Sequence, residues 1–176
     1  MTNEPDRIIV QNRIDFVTGA VDRYLEDVDA LARLGVRAGQ LLEGRRAAAV
    51  HAEPGEGEWS ASRTLGHMIA YLSALRDQVT RMAWMTDPVL PVVDDEAEAE
   101  RNAWTSQEPE QLLASLTAEV EAIEDLLKHL PDSSWGRAGL HPGMGRRSIV
   151  QHVRGAVGHL GGHLDQVEAA LAAPGR

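Results

Sequence analysis

The sequence predicts an all-α protein, a four-helix bundle in which a long crossover joins helices 2 and 3. Three observations point to this fold. Four stretches carry apolar residues at spacings of three and four, which is the pattern of an amphipathic helix. Aromatic residues make up only 4% of the chain, a composition that favours helices over strands. The connection between the second and third stretches is too long for a tight hairpin.

The first predicted helix covers residues 6–43. Its apolar face consists of Ile14, Val17, Val21, Leu25, Val28 and Leu31. Gly35 and Gly39 are expected weak points, because glycine is a poor helix former. The glycine-rich segment HAEPGEGEW should then break the helical pattern.

The second predicted helix has clear signals at both ends. Ser60 is the expected N-cap, and Trp59 and Leu65 can form a hydrophobic staple around it. Pro88 ends the helix, because the residue before a proline avoids the helical region.

The connection over residues 87–107 can run the length of the bundle. Its 21 residues span about 70 Å when extended, whereas a helix of about 25 residues is about 37 Å long. Helices 2 and 3 can therefore be parallel, and short helical turns within the connection are equally possible. The acidic run DDEAEAE is predicted to be a solvated loop, since it lacks the alternating ligands and the glycine of an EF-hand.

The third helix is predicted over residues 108–130, where Pro131 ends it. Its core stripe consists of Leu112, Leu113, Leu116, Val120, Ile123, Leu126 and Leu127. The loop PDSSWGRAGLHPGMG leads to the fourth helix, which is predicted over residues 146–172.

The composition excludes several classes of function. The chain has no cysteine, so disulfides, thiolate metal sites and a cysteine nucleophile are ruled out. Its formal net charge of −10 disfavours nucleic acid as a partner. No segment has the roughly 18–20 apolar residues of a membrane span, and the N-terminus does not resemble a signal peptide. We therefore expect one cytoplasmic domain over residues 1–176, with no nucleic-acid or membrane partner.

Histidines provide the main indication of chemistry. His159 and His163 are four residues apart in the fourth helix, and His152 lies seven residues before His159, so all three share one side of that helix. His67 lies early in the second helix. An i, i+4 histidine pair can chelate a metal ion, and a third histidine from another helix would leave a position open to substrate or water. Surface or satisfied core histidines are the alternative interpretation.

Other polar residues on the same stripes are candidates for the surroundings of this site. They are Gln166, three residues after His163, and Tyr71 and Gln78, four and eleven residues after His67. His152 is interpreted as a residue that supports the ligands. Packing or solvation is the alternative role for each of them.

The remaining histidines and the tryptophans have simpler interpretations. The surface histidines are expected to be His51, His129 and His141. The core or loop anchors, one of which can line a pocket, are Trp59, Trp84, Trp104 and Trp135. The two glycines of HLGGH either leave the surface beside the imidazoles free of bulky side chains or allow close helix packing.

Established catalytic motifs are missing from the sequence. HLGGH lacks the glutamate of the HExxH protease motif. There is no GxSxG elbow, no phosphate-binding loop and no dinucleotide fingerprint. No glutamate stands three residues before the candidate ligands, which excludes a carboxylate di-iron bundle.

The segments GEWSASRTLGHMIAYL and SIVQHVRGAVGHLGGHLDQV resemble the DinB-like (DinB/YfiT) superfamily of metal-dependent enzymes. The shared features are a Trp-Ser helix start with a histidine seven residues after the serine, and a late His-x-x-x-His-x-x-Gln. The resemblance implies a divalent metal, zinc or nickel, on His67, His159 and His163. It also implies a homodimer, and it makes residues 1–19 an N-terminal extension.

The resemblance implies a function as well, since characterised members include transferases that use a low-molecular-weight thiol of the bacillithiol or mycothiol type. The first hypothesis is therefore a metal-dependent thiol transferase with a small-molecule substrate. A metal-dependent hydrolase is the enzymatic alternative. A non-catalytic bundle that binds a ligand or partner and keeps a structural three-histidine site is the third possibility.

Overall fold

The computed structural model describes residues 22–173, which fold into an all-α bundle with one small hairpin. The four long helices are α1 (Asp22–Leu42), α3 (Ala61–Trp84), α5 (Pro109–His129) and α6 (Ile149–Ala172). Two short helices, α2 (Ala47–His51) and α4 (Asp95–Asn102), and two strands, β1 (Ala138–His141) and β2 (Gly145–Ser148), complete the fold together with 3-10 turns at Trp104–Ser106 and Asp132–Ser134. The predicted all-α four-helix class is confirmed, whereas the N-terminal extension and the first part of the first predicted helix lie outside the described residues.

The core consists of the aliphatic stripes of the four long helices. Its fully buried members include Leu31, Leu65, Leu72, Leu116, Ile123 and Leu160. Trp135 is also fully buried, and its ring stacks on Tyr24 of α1 with ring centroids 4.4 Å apart. Aliphatic packing therefore dominates this core, and Trp135 and Trp104 are its buried tryptophans.

Contacts at the two ends of α3 show that α5 runs parallel to it. Near the start of α3, Gly66 lies against Trp104, which comes just before α5 in the chain. Near the end of α3, the carbonyl of Met82 accepts a hydrogen bond from Arg137 Nε at 2.7 Å, and Arg137 follows the end of α5. The predicted long crossover between helices 2 and 3 is therefore confirmed.

The crossover contains short helical segments, one of the two forms that its sequence leaves open. The acidic run forms α4 instead of a solvated loop, because the Asp94 side chain caps the helix by accepting from the amide of Ala97 at 3.0 Å. Gln78 of α3 donates from Nε2 to the carbonyl of Pro91 at 2.6 Å. This hydrogen bond fixes the first half of the crossover to the bundle.

The hairpin β1–β2 replaces the loop predicted before the last helix. Its strands pair antiparallel, and Gly145 makes the turn with φ of 73°. The last helix therefore begins at Ile149 and not near residue 146. Ser148 and Gln151 form a capping box at this point, and that pair was a start signal already present in the sequence.

Three further details differ from the sequence-based expectations. α1 continues without a break through Gly35 and Gly39, and an additional helix, α2, follows it before the glycine-rich segment. Trp84 is 70% exposed at the end of α3, so it is not an anchor.

A separate property concerns membranes. None of the helices within residues 22–173 has the length and apolar character needed to cross a lipid bilayer.

Candidate metal centre

Two well-capped helices present the three histidines. Ser60 caps α3 by accepting from the amide of Arg63 at 3.2 Å, which confirms the predicted start and places His67 within the first two turns. His159 and His163 lie one turn apart on α6, facing α3. The register between α3 and α6 therefore brings together side chains that are about ninety residues apart in sequence.

The three imidazoles converge on one point through their Nε2 atoms. Nε2 of His159 lies 3.2 Å from Nε2 of His67 and 3.2 Å from Nε2 of His163. One ligand atom from each of the three side chains lies within 4.8 Å of the others. Ligand nitrogens about 2 Å from a tetrahedral zinc ion are about 3.3 Å apart. The donor set and its spacing therefore fit a divalent cation.

Gln166 determines which nitrogen His163 offers. Its Oε1 lies 2.8 Å from Nδ1 of His163, so the amide oxygen accepts the Nδ1–H and the lone pair is left on Nε2. A neutral His159 ring carries at most one hydrogen on Nε2. It can therefore donate a good hydrogen bond to only one of the two Nε2 atoms that lie 3.2 Å away, those of His67 and His163. A shared cation would satisfy all three nitrogens at once.

The candidate centre is accessible to small molecules. His67 and His163 are half-buried and His159 is exposed. A large cavity of about 590 Å³ lies on one side, between the segment that precedes α3 and the end of α6, and is lined by residues that include Pro54, Glu58, Trp59, His163, Gln166 and Ala170. A small cavity of about 240 Å³ on the other side is lined by residues that include His67, Tyr71, Gln78, Val92, His141 and His159.

The structure places three of the predicted surrounding residues around these cavities. Gln166 contacts His163, as described above. The Tyr71 ring lies 4.6 Å from that of His159, measured between centroids, and burial raises the pKa of the Tyr71 phenol, an effect that Arg147 partly offsets. The hydroxyl therefore stays protonated at neutral pH. Gln78 lines the small cavity, but its Nε2 is engaged by the crossover.

His152 is not brought to the three histidines. It is buried with 3% exposure, and its ring lies 6.0 Å from that of His141. Burial, together with the positive charge of Arg147 and a contribution from His141, lowers the pKa of the His152 imidazole to about 4. Its Nε2 makes no hydrogen bond with any residue in the described part of the chain. His152 is thus a neutral packing residue beneath the hairpin.

Two histidines assigned to the surface are partly buried. His141 lines the small cavity, and its Nδ1 accepts hydrogen bonds from the amides of Gly143 and Met144. Only the hairpin brings it there, so no signal in the sequence marks it. His51 is half-buried at the end of α2, whereas His129 is exposed, as predicted.

Trp59 lines the large cavity, and together with Trp104 it also lines a narrow cleft beside His67. Its ring meets that of His67 edge-on, with centroids 5.6 Å apart, and it contributes to the wall of the large cavity. The Arg63 guanidinium lies over the indole at 4.8 Å from its centroid. Trp59 therefore separates the large cavity from Arg63.

The fold and the site define a helical-bundle protein with a candidate three-histidine metal centre. Residues 10–167 match the profile of the DinB superfamily, and the chain belongs to that superfamily. No curated protein sequence matches the chain.

Two solved structures share its fold. One is YfiT from Bacillus subtilis, described as a probable metal-dependent hydrolase with an unusual four-helix bundle topology. It has a TM-score of 0.77 and 16% identity, over 86% of this chain and 87% of that one. The other is the mycothiol-dependent maleylpyruvate isomerase, with a TM-score of 0.60 and 16% identity, over 85% of this chain and 61% of that one.

Proposed function

We propose that this chain is a metal-dependent enzyme in which His67, His159 and His163 hold one divalent cation, zinc or nickel. The observation that carries the proposal is the convergence of three imidazole nitrogens between two cavities. A cation bound there supplies Lewis acidity, which lowers the pKa of a coordinated thiol or water.

The first candidate reaction is the transfer of a low-molecular-weight thiol to a small electrophilic substrate. Two cavities next to one site support a reaction between two ligands, and the likeness to a mycothiol-dependent isomerase supports a thiol as one of them. In this reaction Gln166 keeps Nε2 of His163 directed at the site, Trp59 shields one side from water, and the Tyr71 hydroxyl is a hydrogen-bond donor to the substrate.

The homodimer implied by the family stays a prediction, as does the cytoplasmic location.

Hydrolysis is the second candidate. The likeness to YfiT, described as a probable metal-dependent hydrolase, favours it, and the exposure of His159 gives water access to the site. A closed structural site is less well supported, since two cavities open beside the three nitrogens and no fourth His, Cys, Asp or Glu joins the group among the side chains that the structure describes.

Metal content tests the assignment of the ligands. Untagged protein should contain about one divalent ion per chain, and His159→Ala should lose most of it, because two neutral ligands hold a cation far more weakly than three. His129→Ala, which removes an exposed histidine remote from the site, is the matched control. Equal metal content in the His159→Ala variant and the parent would refute the site.

Turnover distinguishes the two reactions. The metal-loaded protein is supplied with mycothiol, bacillithiol or glutathione and an electrophile, and separately with ester and amide substrates. Thiol-dependent product that disappears in His159→Ala supports transfer. Hydrolysis without any thiol, lost in the same variant, favours the second candidate.

A further inference from the structure

The β1–β2 hairpin carries two nitrogen-rich side chains, those of His141 and Arg147, on one of its faces. In the register of the hairpin His141 pairs with Gly145, and Arg147 pairs with Gly139. Residues two apart along a strand share a face of the sheet, so His141 and Arg147 are diagonal neighbours. Both are half-buried, and His141 lines the small cavity. This face of the hairpin therefore lies against the small cavity.

The guanidinium of Arg147 is held between the hairpin and α6. Its Nη2 donates to the carbonyl of Gln151 at 3.1 Å. Its Nη1 lies 3.3 Å from Sδ of Met144, which also lines the small cavity. A β-carbon at Gly155, one turn before His159, would lie 3.5 Å from Nη2. Arg147 therefore stands at the edge of the small cavity, on the side of the candidate ligand His159.

Arg147 brings an uncompensated positive charge to this place. Among the side chains that the structure describes, no carboxylate pairs with it, whereas its neighbour Arg146 forms an ion pair with Asp87. Burial lowers the pKa of the His152 imidazole, and the charge of Arg147 lowers it further. Burial raises the pKa of the Tyr71 phenol, and the same charge opposes that effect. The field of Arg147 thus extends beneath the hairpin and to the wall of the small cavity, whose described lining contains no acidic residue.

The lining of the small cavity adds two hydrogen-bond donors. Because Nδ1 of His141 accepts from the amides of Gly143 and Met144, the neutral ring carries its hydrogen on Nε2. Neither this N–H nor the Tyr71 hydroxyl donates to another residue in the described part of the chain. Two donors beside an arginine suit the oxygens of a carboxylate, which only accept hydrogen bonds.

The mouth of the small cavity is apolar. Val92 and Met144 line it, although they are 57% and 48% exposed, and Val93 and Ala74 extend this surface. Exposed apolar surface beside a cavity is typical of a ligand-binding groove. A volume of about 240 Å³ lies below the range of drug-sized ligands. The expected ligand is therefore small and has an apolar part as well as an anionic one.

We propose that the small cavity binds a small carboxylic acid with an apolar body, and that Arg147 is the specificity-determining residue. The carboxylate accepts from Arg147, His141 and Tyr71, and the body covers Val92 and Met144. This inference rests on the proposed function for the role of the acid as a substrate, and it adds the chemical class of that substrate. A divalent cation on the three histidines would favour the same ligand, because its charge has the same sign as that of Arg147.

Three fluorinated probes test the proposal on the full-length, zinc-loaded protein. Para-fluorobenzoate has a carboxylate and an apolar ring, para-fluorobenzamide is its neutral counterpart, and fluoroacetate lacks the ring. Fluorine NMR titrations give the three dissociation constants. Para-fluorobenzoate should bind at least about tenfold more tightly than either of the other probes, through its charge in one comparison and through burial of its ring in the other.

Two neighbouring arginines provide the test variant and its control. Arg147→Gln should reduce the preference for para-fluorobenzoate over para-fluorobenzamide by about tenfold. Arg147→Lys, which keeps the charge, should hold that preference within about threefold of the parent's. Arg146→Gln removes an arginine from the other face of the hairpin, where Asp87 pairs with it, and should change the preference by less than about twofold.

Failure of this inference and failure of the metal site give different results. If Arg147→Gln leaves the preference unchanged while His159→Ala loses both the metal and the preference, the carboxylate binds the cation alone and the role of Arg147 is refuted. If His159→Ala keeps the parent's metal content while Arg147→Gln loses the preference, the metal site is refuted and the carboxylate site stands. Equal effects of Arg146→Gln and Arg147→Gln, or a parent that binds para-fluorobenzoate no more tightly than para-fluorobenzamide, overturn the inference.

Discussion

At the scale of single residues, the orientation of the His163 ring depends on one hydrogen bond. Gln166 accepts from Nδ1 at 2.8 Å, which both selects the tautomer and limits rotation of the ring. Outer partners of this kind make a ligand more basic and hold it in place. Gln166 should therefore affect metal affinity without touching the metal.

Replacing this partner gives the first prediction at this scale. Gln166→Leu should weaken metal binding by about tenfold or more, measured by competition with a chromophoric chelator. Gln166→Glu, which keeps an acceptor oxygen at the same position, should retain most of the affinity. Gln40→Leu, at an exposed site on α1, is the control for removing an amide side chain. An equal decrease in metal affinity in that variant would contradict the role of Gln166.

At the scale of elements, the close approach between α3 and the crossover depends on Gly66. A β-carbon at this position would lie 2.2 Å from Cγ of Trp104, which is 8% exposed. Glycine is needed here because the indole occupies the space of a side chain. Trp104 thereby fastens the end of the crossover to the start of α3.

Adding one methyl group to α3 tests this contact. Gly66→Ala should lower the free energy of unfolding by about 2 kcal/mol, since a well-packed site absorbs the extra volume poorly. Gly158→Ala on α6 is the matched control, because no described residue lies within 4 Å of the added carbon. That control should be neutral or raise the stability by up to about 1 kcal/mol through helix propensity. Urea unfolding measures both, and equal effects would exclude the clash.

The glycines of HLGGH illustrate what a local pattern leaves open. The sequence allows two roles for Gly161 and Gly162: a surface free of bulky side chains beside the imidazoles, or close helix packing. A β-carbon at either would have no described neighbour within 4 Å, so close packing is not their role. Helix spacing alone carries no information on what faces a glycine, which is why both interpretations were possible.

The four long helices were predictable because each has an apolar stripe and a recognisable start or end. The hairpin was not, since AGLH and GRRS lack the alternation of an ordinary strand. Its ladder is completed by distant residues: Leu140 exchanges backbone hydrogen bonds with Pro88 and Leu90 of the crossover. Such pairing depends on tertiary structure, as does the place of His141 in the small cavity.

The candidate centre was predictable in part. The spacing of His159 and His163 puts both on one face of a helix, and periodicity alone establishes that much. The register that sets His67 opposite them depends on how α3 packs against α6, and only the family resemblance pointed to it. The same spacing argument placed His152 with the ligands, but the hairpin covers that turn of α6 and the ring packs there instead.

At the scale of the whole molecule, the buried His152 should make stability depend on pH. Its folded-state pKa of about 4 is below the ordinary value of about 6.5, so the unfolded chain takes up the proton first. The contribution of the neutral His152 to the free energy of unfolding is therefore complete above about pH 6.5 and declines as the pH falls towards 4. The free energy of unfolding should fall there by up to about 1.4 kcal/mol per pH unit from this group.

Unfolding curves over this pH range test the contribution. Urea unfolding of the metal-free protein between about pH 7.5 and pH 4.5 gives the slope, and His152→Gln should flatten it by up to one proton. His129→Ala, which removes an exposed histidine, is the matched control for the loss of an imidazole. Identical slopes for the parent and His152→Gln would show that His152 does not take up a proton on unfolding.

The long crossover between the parallel helices α3 and α5 has a consequence for evolution. The three candidate ligands lie on α3 and α6, whereas Val92 of the crossover, His141 of the hairpin and Pro54 of the segment before α3 line the cavities. Mutations in these connecting segments can reshape what enters without disturbing the helices that carry the imidazoles. Descendants of one ancestral bundle can thus come to accept new ligands while inheriting the same candidate centre.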